Sequence, residues 1–532
     1  MSENLADGLE RLRRRLEEQG WECEETHISV VLLGPREVWK VKKPVALGFL
    51  DFSTLARRRS ACEAEVALNR RLAPDVYLGV EPITERDGEW RLGGDGEPVE
   101  WAVRMRRMPR AARADALLAA GELGAERLEQ VARRLAEFHA ACRSDERTAR
   151  LGGLEAVERN VRENFRQVAP FLLRYLQPAQ AGEVREWQLQ FLRDHRELFE
   201  RRTTAGRVRD GHGDLRLEHV YLEGERRERV VVLDCIEFND RFRYADVCAD
   251  LAFLAMDLAW HGRVDLAEGL LARYAEEADD FDLYSLVDFY ESYRAFVRGK
   301  VLGMTAGAAG PHALVERTHR EARRYFRLAT TGGRRPLLEP RLIAVGGVLA
   351  TGKSTVARGL GRALACPVIA ADPTRKHMLG IATTEHRDDA PFRGAYSPEM
   401  SVRVYAELLR RAEVVLRSGR SAVLDASFRG RRDRGAARAL ADRLGVPFLF
   451  VECRAPRAVL ERRLRARRAA GATSESDGRL EILDQFLARW EQVGEEVAGS
   501  AVGVDTSAAE QTVLAQLLAG LPRWPAAGDP AR

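Results

Sequence analysis

Residues 342–355 read Leu-Ile-Ala-Val-Gly-Gly-Val-Leu-Ala-Thr-Gly-Lys-Ser-Thr. An apolar run, Leu342–Val345, enters a glycine-rich turn, and a helical pattern follows over 353–364. Gly347 to Ser354 fits G-x-x-x-x-G-K-[ST] in the strand–turn–helix context that gives the motif its meaning. Such a turn aims backbone N–H groups at phosphate oxygens, and the helix N-terminus adds positive potential. Lys353 reaches the β- and γ-phosphates, and Ser354 ligates Mg²⁺. Gly347, Gly352, Lys353, Ser354 and Thr355 are therefore the expected contacts for ATP and Mg²⁺.

Working outward, strand and helix patterns alternate. Strands are expected over 342–345, 367–371, 421–425 and 447–452, with helices over 353–364, 400–417, 432–443 and 456–468. That alternation predicts a parallel, doubly wound sheet. Asp425 ends the strand 421–425, where a carboxylate holds the metal's water shell. Asp372 stands at the end of the strand that follows the P-loop helix, at the sheet edge where ligands bind. A carboxylate there can accept the proton of an attacking hydroxyl, and Arg375 or Lys376 can hold an anionic substrate, with a helix N-cap before Pro373 as the plainer alternative for Asp372. Arg463, Arg465 and Arg467 lie on an arginine-rich helix that fits a phosphate-clamping lid. A solvated arginine face is the plainer alternative for each.

Together, GGVLATGKST, the Ala-Asp-Pro-Thr-Arg-Lys turn (371–376), Val-Leu-Asp-Ala-Ser-Phe (423–428) and the arginine-rich tail resemble small P-loop kinases related to polynucleotide kinase, gluconate kinase and zeta toxins. The resemblance covers roughly 341–520 and implies Asp372 as general base, Arg375 as a substrate contact and the three arginines as lid residues. Ala350 stands where many members carry glycine, which places a methyl near the phosphate path.

The first part of the chain has a different pattern. Two β-rich runs, 26–34 and 37–42, flank Gly-Pro-Arg as a hairpin, a helix is expected over 60–72 and a strand over 100–105. From about residue 111 the chain is mostly helical, with a β island at 220–238. His212-Gly213-Asp214-Leu215-Arg216-Leu217-Glu218-His219 resembles the catalytic loop of aminoglycoside and choline phosphotransferases. The resemblance implies that Asp214 orients the acceptor hydroxyl. Asp234 would hold the metal, with His219 where the pattern has asparagine. Asp246 and Asp250 match carboxylates that are usually structural. Lys40 and Lys42 share one strand face, so both are candidates for the ATP-phosphate lysine, with Glu65 as the helix partner. No glycine-rich flap is evident.

The full chain resembles bacterial two-domain proteins in which an aminoglycoside-phosphotransferase-like domain is fused to a P-loop kinase-like ATP-binding domain. The expected layout is an α+β protein-kinase-like domain over 1–330, with a small lobe about 20–110 and a large lobe about 111–330, a linker at 331–340, and an α/β P-loop domain over 341–532. Because 341–532 holds every P-loop candidate, it is expected to bind ATP·Mg²⁺ without the rest.

Composition is that of a folded globular chain: 45% of the 532 residues are apolar and 31% charged. Net charge is +4, so bulk charge does not favour extended duplex binding. No apolar run reaches a membrane span of ~18 residues. The charged N-terminus lacks the apolar core of a secretory signal. The seven cysteines stand singly, without C-x-x-C pairs. A cytoplasmic kinase is expected, acting on a hydroxyl of a small molecule or nucleotide. A nucleic-acid 5′ end is a less favoured acceptor, and a nucleotide-driven regulator with a ligand-binding first domain is the alternative.

Overall fold

The computed structural model describes residues 2–47, 50–224, 228–306, 312–330, 337–381, 394–469 and 480–525. The chain divides into two compact units, Met1–Asp257 with Phe289–Gly332, and Leu258–Asp288 with Gly333–Arg532. Residues 331–336 of the expected linker lie outside the described residues.

The first unit opens with helix α1 (Ser2–Glu18) and a six-stranded antiparallel sheet: β1 (Glu22–Glu25), β2 (Ser29–Leu33), β3 (Glu37–Lys42), β4 (Tyr77–Arg86), β5 (Glu89–Leu92) and β6 (Glu97–Arg106). The spatial order is β1-β2-β3-β6-β4-β5. The expected hairpin is present as β2–β3, pairing Leu33 with Val38. Leu12 and Leu16 of α1 pack on Trp39, Val41 and Ala102. Helix α2 (Leu55–Asn69) starts earlier than its apolar pattern suggests, because the Thr54 side chain caps the Arg57 N–H. Its Cys62 and Val66 pack with Val103 and Tyr77. The rest of the unit is mainly helical. In the helix Ala125–Ala141 the periodic Leu128, Val131, Leu135 and Phe138 are all buried. The β island is the hairpin Val220–Glu223 with Arg229–Val232. This small sheet lobe followed by a helical lobe is the kinase-like architecture expected.

The second unit is a five-stranded parallel sheet: β7 (Leu342–Gly346), β8 (Val368–Ala370), β9 (Ala422–Asp425), β10 (Phe448–Arg454) and β11 (Ala501–Asp505), in the order β8-β9-β7-β10-β11. All five residues of the central β7 are buried, which is why it reads as an unbroken apolar run. Helices α3 (Lys353–Leu364), α4 (Ala371–Met378), α5 (Pro398–Arg417) and α6 (Arg457–Ala469) serve this sheet. The unit also takes in Leu258–Asp288. There the helix Val264–Glu277 is followed by the short turn Phe281–Ser285, which packs on α5. Among the described residues, no helix is long and apolar enough to cross a membrane. All seven cysteines are free thiols.

Candidate functional site

The loop Gly347–Gly352 joins β7 to α3. Gly347 has φ +154°, and a Cβ there would stand 2.6 Å from the Thr351 hydroxyl and 2.7 Å from the Cys453 carbonyl oxygen. Gly352 enters the helix at φ +81°. Ala350 also takes a left-handed backbone, φ +61°, the conformation that favours glycine. It is buried against Leu460, Leu464 and Leu483, a packing contact that offsets part of the backbone cost.

Register brings the acidic candidates to the same sheet edge. Val345 pairs with Asp425, and Asp425 pairs with Ala370, across three adjacent parallel strands. The P-loop leaves β7 one residue after Val345, and Asp372 lies two residues beyond Ala370. Asp372 belongs to the first turn of α4, not to the strand. It is not the N-cap, a position Ala370 holds. Its carboxylate accepts from Arg375 at 2.6 Å. The Arg375 guanidinium lies 4.4 Å from the Tyr396 ring centre, and its Nε is buried with no hydrogen-bond partner.

Asp425 is 7% exposed, and its Oδ1 has no partner. Burial pushes its carboxyl up from the usual value, against the charge of Lys353 and the hydroxyl of Ser354. A buried, under-satisfied carboxylate beside a P-loop serine fits a hard divalent cation with oxygen ligands. Ser354 and Asp425 would hold Mg²⁺ there. Thr355 faces solvent.

The lid candidates separate. Arg463 donates to the Ala350 carbonyl at 3.1 Å and to the Thr506 carbonyl at 2.5 Å. The Thr506 hydroxyl lies 2.5 Å from the Thr351 carbonyl. Arg463 therefore braces the P-loop backbone in this structure, a role shared with Thr506 that the sequence did not signal. Arg465 is exposed and pairs with Glu461 at 3.1 Å. The Arg467 side chain lies outside the described residues.

In the first unit, Lys40 bonds Glu65 at 2.9 Å and Asp234 at 2.6 Å. Lys42 bonds the other Glu65 oxygen at 2.5 Å and also Glu237. The Lys42 side chain is fully buried, while Lys40 keeps 16% exposure. Lys40 is thus the more open of the two lysines. Two lysines on one buried face need more than one carboxylate, and that was the available signal for Glu237. Asp234 sits at φ +65°. Burial alone would raise its carboxyl, but Lys40 and His219 hold it well below the usual range.

The catalytic-loop candidates are locked together. Arg216 donates to both Asp214 oxygens at 3.0–3.3 Å and pairs with Glu218. Burial opposes ionisation of Asp214, yet Arg216, His219 and Arg298 hold its carboxyl below the usual range. His219 Nδ1 donates to the Asp214 backbone carbonyl at 2.6 Å, which leaves Nε2 on the other side of the ring. Arg216 lies 3.3 Å from that Nε2 and Asp234 lies 3.7 Å from it. His219 thus hydrogen-bonds within the loop and stands beside Asp234. Among the described residues, no three His, Cys, Asp or Glu side chains gather in metal-binding geometry. Asp250 grips the loop by accepting the His212 and Gly213 N–H groups at 2.7 and 2.9 Å. Asp246 forms a buried bidentate pair with Arg202 at 2.6 and 2.8 Å. Both carboxylates are structural, as expected.

Known proteins resemble this chain in part and over most of its length. The family model described as an AAA domain matches residues 342–493. An uncharacterized protein of Mycobacterium tuberculosis, Rv2004c, is 34% identical over 466 residues, 87% of this chain and 89% of that protein. An uncharacterized protein of Mycobacterium bovis, Mb2027c, matches at the same identity and extent. The chain belongs to their family. For this family member, similar solved structures cover one part at a time. A sugar kinase of Janibacter sp. is 19% identical over 36% of this chain and 99% of its own, with a TM-score of 0.28. The aminoglycoside 2′-phosphotransferase-IIIa in its GDP complex is 13% identical over 57% of this chain and 90% of its own, with a TM-score of 0.34.

Proposed function

We propose that this family member is an ATP-dependent phosphotransferase whose reaction runs in the second unit, on a hydroxyl of a small molecule or nucleotide. The observation that carries the reading is the register Val345–Asp425–Ala370, which sets the P-loop, Asp425 and Asp372 along one sheet edge. In this reading the P-loop N–H groups and Lys353 hold the β- and γ-phosphates. Ser354 and Asp425 hold Mg²⁺, which neutralises phosphate charge when bound. Asp372 takes the hydroxyl proton as the acceptor oxygen bonds to the γ-phosphorus, while the bond to the β,γ-bridging oxygen breaks and ADP leaves. Arg375 orients Asp372.

A second reading applies to the first unit. The Arg216–Asp214–His219 network neutralises the base and engages the imidazole, which favours a nucleotide- or ligand-binding site over an active kinase.

The test is ATP binding by the full chain with Lys353→Ala. A hydrogen bond to a charged group is worth ~1.5–3 kcal/mol, so affinity at the second-unit site should fall about 10- to 100-fold. Calorimetry that finds unchanged ATP affinity overturns the P-loop assignment.

A further inference from the structure

The segment Leu258–Asp288 precedes the P-loop by about 60 residues of chain, yet it is part of the second unit. Its acidic side chains and one glutamate–amide contact meet groups of the P-loop domain. Glu268 pairs with buried Arg420 at 2.6 Å, and Asp288 meets the same guanidinium at 3.0 Å. Glu276 accepts the Val368 N–H of β8 at 2.7 Å, and Asp282 pairs with Arg410 at 2.8 Å.

Asp279 differs from these in what it reaches. Both its oxygens accept from Arg411, each at 2.7 Å, and His377 lies 3.1 Å from one of them. Arg411 is 4% exposed and stacks over Phe281, with its guanidinium 5.1 Å from the ring centre. The same Arg411 Nη1 donates to the Thr374 hydroxyl at 3.2 Å. Thr374 and His377 both belong to α4, the helix whose first turn carries Asp372 and whose next residue, Arg375, orients it. Asp279 itself holds a left-handed backbone, φ +46°, a strained conformation for a residue with a Cβ.

We infer that Asp279 is a positioning residue for the second-unit site: through Arg411 and His377 it fixes α4, and so the place of Asp372 relative to the P-loop. A bidentate Arg–carboxylate pair fixes direction as well as distance, and Thr374 and His377 attach one turn of α4 to it. Catalytic groups must be held within about 0.5 Å of productive geometry. Two anchors on a short helix meet that need: His377 on the Asp279 carboxylate and Thr374 on the Arg411 that it holds. The inference rests on the reading of Asp372 as the base.

The test uses the full chain with Asp279→Asn, which keeps size and one acceptor oxygen, and with Thr374→Val, which removes only the link from Arg411 to α4. Amide hydrogen exchange is followed in peptides spanning 371–381 and in β7 and β9, alongside ATP affinity. Exchange in 371–381 is expected to speed up about tenfold or more in Asp279→Asn and less in Thr374→Val, with β7, β9 and ATP affinity unchanged. A residue that merely stabilises the unit would speed exchange throughout the sheet. Uniform loss of protection, or unchanged protection in 371–381, overturns the inference. Asp372→Asn in the same assay, with turnover as the readout, tests the base separately. Unchanged turnover there, with α4 loosened by Asp279→Asn, faults the base reading and leaves the positioning role standing.

Discussion

Asp425 ends a buried strand with one carboxylate oxygen that no described group reaches. Its carboxyl is raised by burial, so the fold disfavours the ionised form. The sign follows from linkage: an acid raised in the native state adds stability below its unfolded pKa. That contribution is lost as pH rises through the folded value. In its ionised form the carboxylate is a cost to the fold that a bound cation relieves. Asp425→Asn is therefore expected to raise the denaturation midpoint of the ligand-free protein. It should also weaken Mg²⁺-dependent ATP binding about 10- to 100-fold, the range seen when even a partner of a metal ligand is lost. Denaturant titration with and without ATP·Mg²⁺ checks both. A lower midpoint with Mg²⁺ dependence intact contradicts the assignment. Ala350 shows the opposite balance at the same scale. A left-handed backbone costs ~1–2 kcal/mol in a non-glycine residue, and its buried methyl returns ~0.8 kcal/mol, so the position tolerates alanine in place of glycine.

At the scale of elements, what the sequence disclosed was what is local. The P-loop helix occupies Lys353–Leu364, the expected span, because a strand, a glycine turn and an amphipathic pattern stand consecutively. The short apolar run over 367–371 reads as a strand with Asp372 at its end, whereas a helix starts at Ala371 with Pro373 in its first turn. Proline is well suited to a first helical turn, and that was the signal available. The strands Tyr77–Arg86 and Ala501–Asp505 were not anticipated. Ala501–Asp505 is an edge strand with a mixed burial pattern, so its alternation is weak. Lys40 and Lys42 could not be separated by period, since they share a face. Only their depth relative to Glu65 and Glu237 does so. The roles of Arg463 and Arg216 depend on which backbone or carboxylate each reaches, and no spacing rule contains that.

For the whole molecule, the division into units is not the division of the sequence pattern. The second unit draws on Leu258–Asp288, a helix and turn that read as a continuation of the first part. Phe281, Leu283 and Tyr284 of that segment are at most 5% exposed, and the turn packs on α5. Burial of each such side chain is worth ~1.5–3 kcal/mol, against a total stability of about 5–15 kcal/mol for a domain. The fragment 341–532 should therefore lack a cooperative thermal transition and bind ATP poorly, although it holds every P-loop contact. A chain that begins at residue 258 supplies the missing segment and should show the transition. Circular dichroism melts of the two fragments decide. Equal midpoints would mean that the segment is peripheral.

The central claim is that the second unit moves a phosphoryl group onto a hydroxyl with Asp372 as the base. The most direct measurement follows γ-labelled phosphate from ATP, in the full chain, across sugars, nucleosides, oligonucleotide ends and aminoglycosides. Label should appear on an organic acceptor and be lost with Lys353→Ala. With Asp372→Asn transfer should slow by about 10²–10⁴, the usual worth of general-base catalysis, while ATP affinity stays near normal. Label released only as inorganic phosphate, at a rate indifferent to Asp372→Asn, would contradict the account and leave a nucleotide-driven switch in its place.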